Sequence, residues 1–188
     1  MTRPFDSSAL PDARGLHVAL VVSRYHHDVT HRLQQGAVAA LREAGVADEA
    51  VEVFAVPGTF EITLAARHAA ETGRFDAIVC LGCVIKGETL HFEFIASAVA
   101  HGITTASAET GIPMAFGVLT TNSIDEAIAR AGDSSSDFRS CKGWEAAMAA
   151  VELATVCRGL TRGEPTGESG WASRGAAPAM MKPMFQLR

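Results

Sequence analysis

Residues 76–91 read DAIVCLGCVIKGETLH, and the way this stretch divides decides the fold. Its first part, residues 77–85, is apolar almost without interruption and carries Ile78, Val79, Val84 and Ile85, the composition of a strand buried on both faces. Lys86-Gly87 then breaks the run, and residues 90–101 take up helical spacing. Outward from it the same unit recurs. Residues 16–23 (LHVALVVS) are a second β-branched apolar run, and in residues 30–44 Leu33, Ala37, Ala40 and Leu41 share one helical face, with Gly45 as a stop. A strand over 51–56 ends at Pro57-Gly58 and is followed by a helix over 60–71. On the C-terminal side Pro113 introduces a strand over 114–119, and residues 124–131 and 144–160 are helical, the latter rich in alanine. Apolar strands alternating with helices predict an α/β fold, a four-stranded parallel sheet covered by helices on both faces.

The 188 residues are one domain's worth and enough to bury a substantial core. A formal net charge of −5 argues against a nucleic-acid binder, which would carry a basic surface. No apolar run approaches the roughly 18 residues of a membrane span. The polar leader, residues 1–15, has no apolar core of the signal-peptide kind, so the chain reads as cytoplasmic. The folded domain is expected over 16–160. From 161 to 188 the composition shifts to Gly, Ser, Pro and Ala without periodicity, the pattern of a flexible extension, although its apolar end MMKPMF would also suit packing on a neighbouring subunit. Cys80 and Cys83 make a C-x-x-C, but residues three apart on a strand point to opposite faces and no second pair completes a metal site, so both read as structural.

In an open parallel sheet, ligands bind beyond the carboxyl ends of the strands. Those ends read Ser23-Arg24-Tyr25-His26-His27, Pro57-Gly58-Thr59-Phe60-Glu61, Lys86-Gly87-Glu88-Thr89-Leu90-His91 and Thr120-Thr121-Asn122, and three of the four gather aromatic and ionisable residues. Residues 82–89, GCVIKGET, nearly match the phosphate-binding loop G-x-x-x-x-G-K-[ST], but Glu88 occupies the lysine position, where a carboxylate would repel a triphosphate. What survives is a glycine turn entering a helix, whose free N–H groups can hold one phosphate. His91, in the first turn of that helix, is a candidate proton shuttle, with a surface or capping histidine as the simpler alternative. Tyr25 and Phe60 offer flat faces for a heteroaromatic ring, though such residues more often only pack. Glu61 could accept hydrogen bonds from hydroxyls or merely favour its own helix start, and Arg130 could bind phosphate or merely complement a helix C-terminus.

Taken together, SRYH (23–26), VPGTFEI (56–62), DAIVCLGCVIKGETLHFEFI (76–95), GIPMAFGVLTTNSIDEAIARAG (111–132) and CKGWEAA (141–147) resemble the lumazine synthase family, in order and over residues 16–160. The resemblance implies a flavodoxin-like three-layer sheet and a homopentamer with active sites between neighbouring subunits. It implies condensation of 5-amino-6-(D-ribitylamino)uracil with 3,4-dihydroxy-2-butanone 4-phosphate to 6,7-dimethyl-8-ribityllumazine, with no metal or organic cofactor. Residue by residue, Tyr25 matches the aromatic that stacks on the pyrimidine. Thr59, Phe60 and Glu61 match the segment holding the ribityl chain and ring, and Cys83, Val84 and Ile85 the strand end whose backbone meets the pyrimidine edge. Glu88 and Thr89 match the ketose-phosphate turn and His91 the catalytic proton donor. Phe116 matches an aromatic delivered from the adjacent subunit, Arg130 the phosphate-binding arginine, and Lys142 a lysine supporting the phosphate site.

Three positions depart from the family pattern. Thr63 stands where proline is usual, Cys141 where asparagine is usual, and the loop over 133–141 (DSSSDFRSC) is longer than in the compact pattern. In the family a longer loop here accompanies pentamers that do not close into icosahedral shells, so a free pentamer is expected, a higher assembly being the alternative. Riboflavin synthase is the natural metabolic neighbour. A lumazine or flavin carrier with little activity competes with the enzyme reading, but a carrier needs neither His91 nor a site for a leaving phosphate. A shell protein with secondary activity is a further alternative. A Ser or Cys hydrolase finds no G-x-S-x-G elbow and no exposed nucleophile beside a histidine.

Overall fold

The computed structural model describes residues 11–132 and 138–163. Residues 1–10 of the leader, residues 133–137 of the long loop and residues 164–188 of the extension lie outside it. Within it, β1 (Val18–Ser23), α1 (His27–Glu43), β2 (Val51–Val56), α2 (Ile62–Glu71), β3 (Ala77–Ile85), α3 (His91–Thr110), β4 (Met114–Thr121), α4 (Ile124–Ala131) and α5 (Lys142–Arg162) follow one another, with single 3-10 turns before β2 and α5. The four strands form one parallel sheet in the order β2-β1-β3-β4.

The expected α/β class is therefore found, and β2, β3 and α4 have the bounds read from the sequence. The largest difference is α3, which runs nine residues past the expected His101. Gly102 follows that expected end, yet it sits inside the helix, where a Cβ would collide with the side chain of Thr63 on α2. The glycine permits close helix contact, and Thr63, which departs from the usual proline, is what fills the space beside it.

Alternation along the strands sorts side chains into two dry layers. Val18, Leu20 and Val22 of β1 join Leu33, Leu41, Trp144, Met148 and Val151 of α1 and α5 on one face. Ala19 and Val21 join Ile62, Ala66, Val99 and Ile103 of α2 and α3 on the other. Cys80 and Cys83 fall into opposite layers, as strand geometry requires of residues three apart. Each fully buried Val, Leu or Ile side chain contributes about 1.5–3 kcal/mol through removal from water. Among the described residues no helix is long and apolar enough to cross a membrane.

Strand register decides where the sheet ends. The β1–β3 ladder stops at Val22–Leu81, whereas β3 stays paired with β4 as far as Ile85–Thr121. Residues 83–85 thus project past the end of β1, leaving that part of the β3 edge without a strand neighbour. On the α1–α5 side of the sheet, contact between those two helices locks the layer. Gly143 presses against the Leu33 carbonyl group so closely that a methyl there would overlap it. Beside it Trp144 is buried and donates its indole N–H to Glu43 at 3.3 Å.

Gly143→Ala must force these helices apart. The substitution is expected to cost about 3 kcal/mol, the upper end of overpacking, and to lower the thermal midpoint by roughly 6–12 °C in a calorimetric scan. An unchanged midpoint would mean that α1 and α5 do not meet at this distance.

Candidate active site

The overhang of β3 forms the floor of an open cleft of about 990 Å³. Four chain segments wall it: Tyr25 and His26 after β1, residues 58–61 between β2 and α2, residues 83–85 with Gly87 and Thr89 at the end of β3, and the first turns of α3 from His91 to Ala98. All four are carboxyl ends of strands or the helix starts they feed, because a parallel sheet points every strand the same way.

The loop after β2 is held down by a single buried contact. Thr59 donates its hydroxyl to the carbonyl of Cys83 at 3.2 Å. The strand must be bare where Thr59 lies, and it is: a Cβ at Gly82 would come within 2.9 Å of the Thr59 methyl. Next to this anchor, Phe60 stands 59% exposed and lines the cleft. Gly58 lets the Glu61 carboxylate fold back over the loop, since a Cβ at 58 would meet its Oε2 at 2.9 Å. After β1, Tyr25 is 66% exposed, with its backbone N–H donating to the buried hydroxyl of Ser23 at 3.2 Å.

The turn after β3 starts from a fixed point, the Lys86 N–H donating to the Thr121 carbonyl at 2.9 Å. Gly87 and Thr89 face the cleft; Glu88 between them is exposed and does not line it. His91 is the first residue of α3, is exposed, and lines the cleft. The site thus joins several aromatic side chains, one carboxylate, the end of β3, and a glycine turn leading into a helix that begins with an imidazole.

Of the residues singled out in the sequence, nine come together here: Tyr25, Thr59, Phe60, Glu61, Cys83, Val84, Ile85, Thr89 and His91. Phe116 and Arg130 do not join them within one chain. Phe116 lies on β4, 46% exposed, and Arg130 lies in the last turn of α4, exposed and donating to the Glu126 carbonyl at 3.1 Å. Lys142, at the start of α5, is paired with Glu145 at 2.7 Å. Sequence reading passes over His26, Phe92, Phe94, Ile95 and Ala98, which also line the cleft. The signal for most of them is present, because 91, 94, 95 and 98 follow the i, i+3, i+4, i+7 spacing of one helical face.

Cys80, Cys83 and Cys141 offer no ready nucleophile. Burial pushes the Cys83 thiol up to about 11 and the Cys80 thiol up to about 12, and it raises Cys141 as well. Among the described residues no cluster of three or more His, Cys, Asp or Glu could hold a metal ion. Burial also lowers the His26 imidazole below its ordinary value, favouring the neutral ring.

A family model described as 6,7-dimethyl-8-ribityllumazine synthase matches residues 15–158 of the chain. A protein of Syntrophus aciditrophicus named 6,7-dimethyl-8-ribityllumazine synthase is 44% identical over 146 residues, covering 78% of this chain and 92% of that protein. One of the same name from Deinococcus radiodurans is 45% identical over 150 residues, covering 80% and 94%.

Raised thiol pKa values have a direct consequence. Near neutral pH these groups are protonated, and thiolate appears only as pH climbs towards the raised values, so Cys80, Cys83 and Cys141 are expected to resist iodoacetamide at about pH 7.5 until the protein is unfolded. Peptide mass spectrometry reads this out, and rapid labelling of Cys80 and Cys83 in the native protein would reopen a redox role for the C-x-x-C.

Proposed function

The chain belongs to the 6,7-dimethyl-8-ribityllumazine synthase family, and from that premise we propose how its cleft performs the reaction. The protein is a transferase of riboflavin biosynthesis that forms 6,7-dimethyl-8-ribityllumazine. The observation that carries the residue assignments is the convergence of Tyr25, Phe60 and His91 on one cleft floored by the free edge of β3.

The pyrimidine stacks on Tyr25 and Phe60, with its polar edge against the backbone of Cys83, Val84 and Ile85, which run past the last β1 pair. Glu61 and Thr59 take the ribityl hydroxyls. The Thr59 proton is committed to Cys83, so its oxygen is left to accept. The ketose phosphate sits at the turn of Glu88 and Thr89, where N–H groups at the start of α3 favour an anion.

The 5-amino group attacks the ketone, and loss of water leaves an imine. Proton loss from the adjacent carbon moves the double bond, and phosphate departs with the electron pair of its C–O bond. The resulting enol becomes a ketone, the ribitylamino nitrogen closes the ring on it, and a second water leaves. Each step transfers a proton between carbon, nitrogen or oxygen, and His91 beside the phosphate turn is the group placed to carry it. Holding both substrates in register is worth up to ~7–11 kcal/mol, so orientation supplies much of the rate.

Phe116, Arg130 and Lys142 reach the site from a neighbouring subunit in this reading. The family typically forms pentamers, and these residues lie outside their own chain's cleft. Arg130 then brings a cation to the phosphate turn, and Phe116 closes the open side. A free pentamer is the proposed assembly, of five times the 19.8 kDa chain mass by light scattering; a much larger particle would favour a closed shell.

With both substrates supplied, the wild type is expected to form lumazine, and His91→Ala to lose about 10²-fold in rate. A fully active His91→Ala variant would remove the histidine from the proton path and leave orientation as the main source of rate. Interfacial sites make a second, independent expectation. His91→Ala and Arg130→Ala, each impaired alone, should regain part of the activity when co-expressed, because some interfaces then combine an intact His91 with an intact Arg130. No recovery in verified mixed assemblies would place both residues in the same subunit's site.

A further inference from the structure

We propose that His26 is the positioning residue for Tyr25, holding its ring as a ready platform for the pyrimidine. The proposal rests on the reading of Tyr25 as the stacking aromatic and assigns a role to a residue which that reading leaves unused.

The first observation is conformational. Among the described residues His26 alone, glycines aside, has a positive φ, at φ 56° and ψ 48°. This left-handed region is uncommon for residues with a Cβ, and Asn, Asp and His tolerate it best. It reverses the chain between the end of β1 and the start of α1. The His26 carbonyl accepts the N–H groups of Val29 at 2.9 Å and Thr30 at 3.1 Å, which pins the far side of the turn. Ser23 pins the near side through the Tyr25 N–H. Tyr25 therefore projects from a backbone tied at both ends.

The second observation concerns the rings. The Tyr25 and His26 rings lie 4.6 Å apart between centroids at 71°, an edge-to-face pair, and both line the cleft. Tyr25 is two-thirds exposed, so the imidazole restricts a ring that solvent would otherwise leave to rotate. A ring ordered before the substrate arrives gives up less rotational freedom on stacking. Burial keeps the imidazole in its neutral form, so the contact persists through neutral pH. A role of this kind acts on binding of the heteroaromatic substrate and leaves the reacting groups alone.

His26→Asn separates the two contributions, because Asn accepts the left-handed turn but removes the ring, and His26→Gly repeats the test with no side chain at all. The readouts are the Kd for the fluorescent product 6,7-dimethyl-8-ribityllumazine, the KM for each substrate, kcat and the thermal midpoint. Both variants are expected to keep their fold and to raise the Kd for the lumazine and the KM for the pyrimidine about two- to tenfold. The KM for the ketose phosphate and kcat should stay within about twofold of wild type. In a Tyr25→Ala background His26→Asn should add nothing, since the ring it orders is gone. If His26→Asn leaves pyrimidine binding unchanged while Tyr25→Ala weakens it, the positioning role is wrong and the stacking role stands. Equal losses from His26→Asn with and without Tyr25 overturn the proposal as well. If Tyr25→Ala itself leaves binding unchanged, the stacking reading fails, and the role of His26 fails with it.

Discussion

Burial of β3 on both faces is the constraint from which the rest of the structure descends. All but the last of its nine residues are buried, between β1 on one side and β4 on the other. A strand so apolar cannot face water, so helices must cover the sheet on both faces, and the chain must cross over between strands to supply them. Crossovers of one kind make every strand parallel, and parallel strands deliver all their carboxyl ends to one edge. The gathering of Tyr25, Phe60, Ile85 and His91 in one place follows from that edge rather than from any attraction among them.

On that edge, a small mismatch in strand length makes the room. Because β3 continues beyond the last pair of the β1 ladder, residues 83–85 reach the cleft and line it with no β1 strand beside them. Thr59 ties the neighbouring loop to this overhang through one buried hydrogen bond, and Gly82 keeps the strand bare enough for that approach. The buried polar groups here fix geometry, and the exposed groups around them are left for chemistry. The left-handed turn at His26 belongs to the same arrangement, since it places a rare backbone conformation next to the two-thirds exposed Tyr25.

In the proposed assembly the site is open because one chain holds only part of it. Arg130 hydrogen-bonds to its own helix and Phe116 leaves nearly half its surface to solvent, both outside the cleft they are proposed to complete. Exposed apolar residues such as Val53, Leu90 and Phe94 are likewise poorly accounted for by the isolated subunit. Division of a site between subunits couples activity to assembly, as no subunit can be catalytically complete before it has a neighbour.

Local signals along the chain suffice for the element order, the α/β class and most of the site. Apolar runs such as 77–85 identify strands wherever both faces are buried, and strand-end motifs such as VPGTFEI and KGETLH are contiguous, so the residues that act together can be read together. The C-terminal part of α3 is not legible in this way, because Gly102 interrupts the helical reading until Thr63 is seen against it from another helix. His26 is equally silent, since neither a left-handed turn nor an edge-on ring has a composition of its own. Strand, helix, turn and motif depend on neighbours in sequence, and the amino-acid order settles them. The length of the β3 overhang, the anchoring of Thr59 on Cys83, and the separation of Phe116 and Arg130 from their own chain's cleft emerge only in three dimensions. They depend on register and close approach between elements far apart in the chain, which local periodicity does not encode.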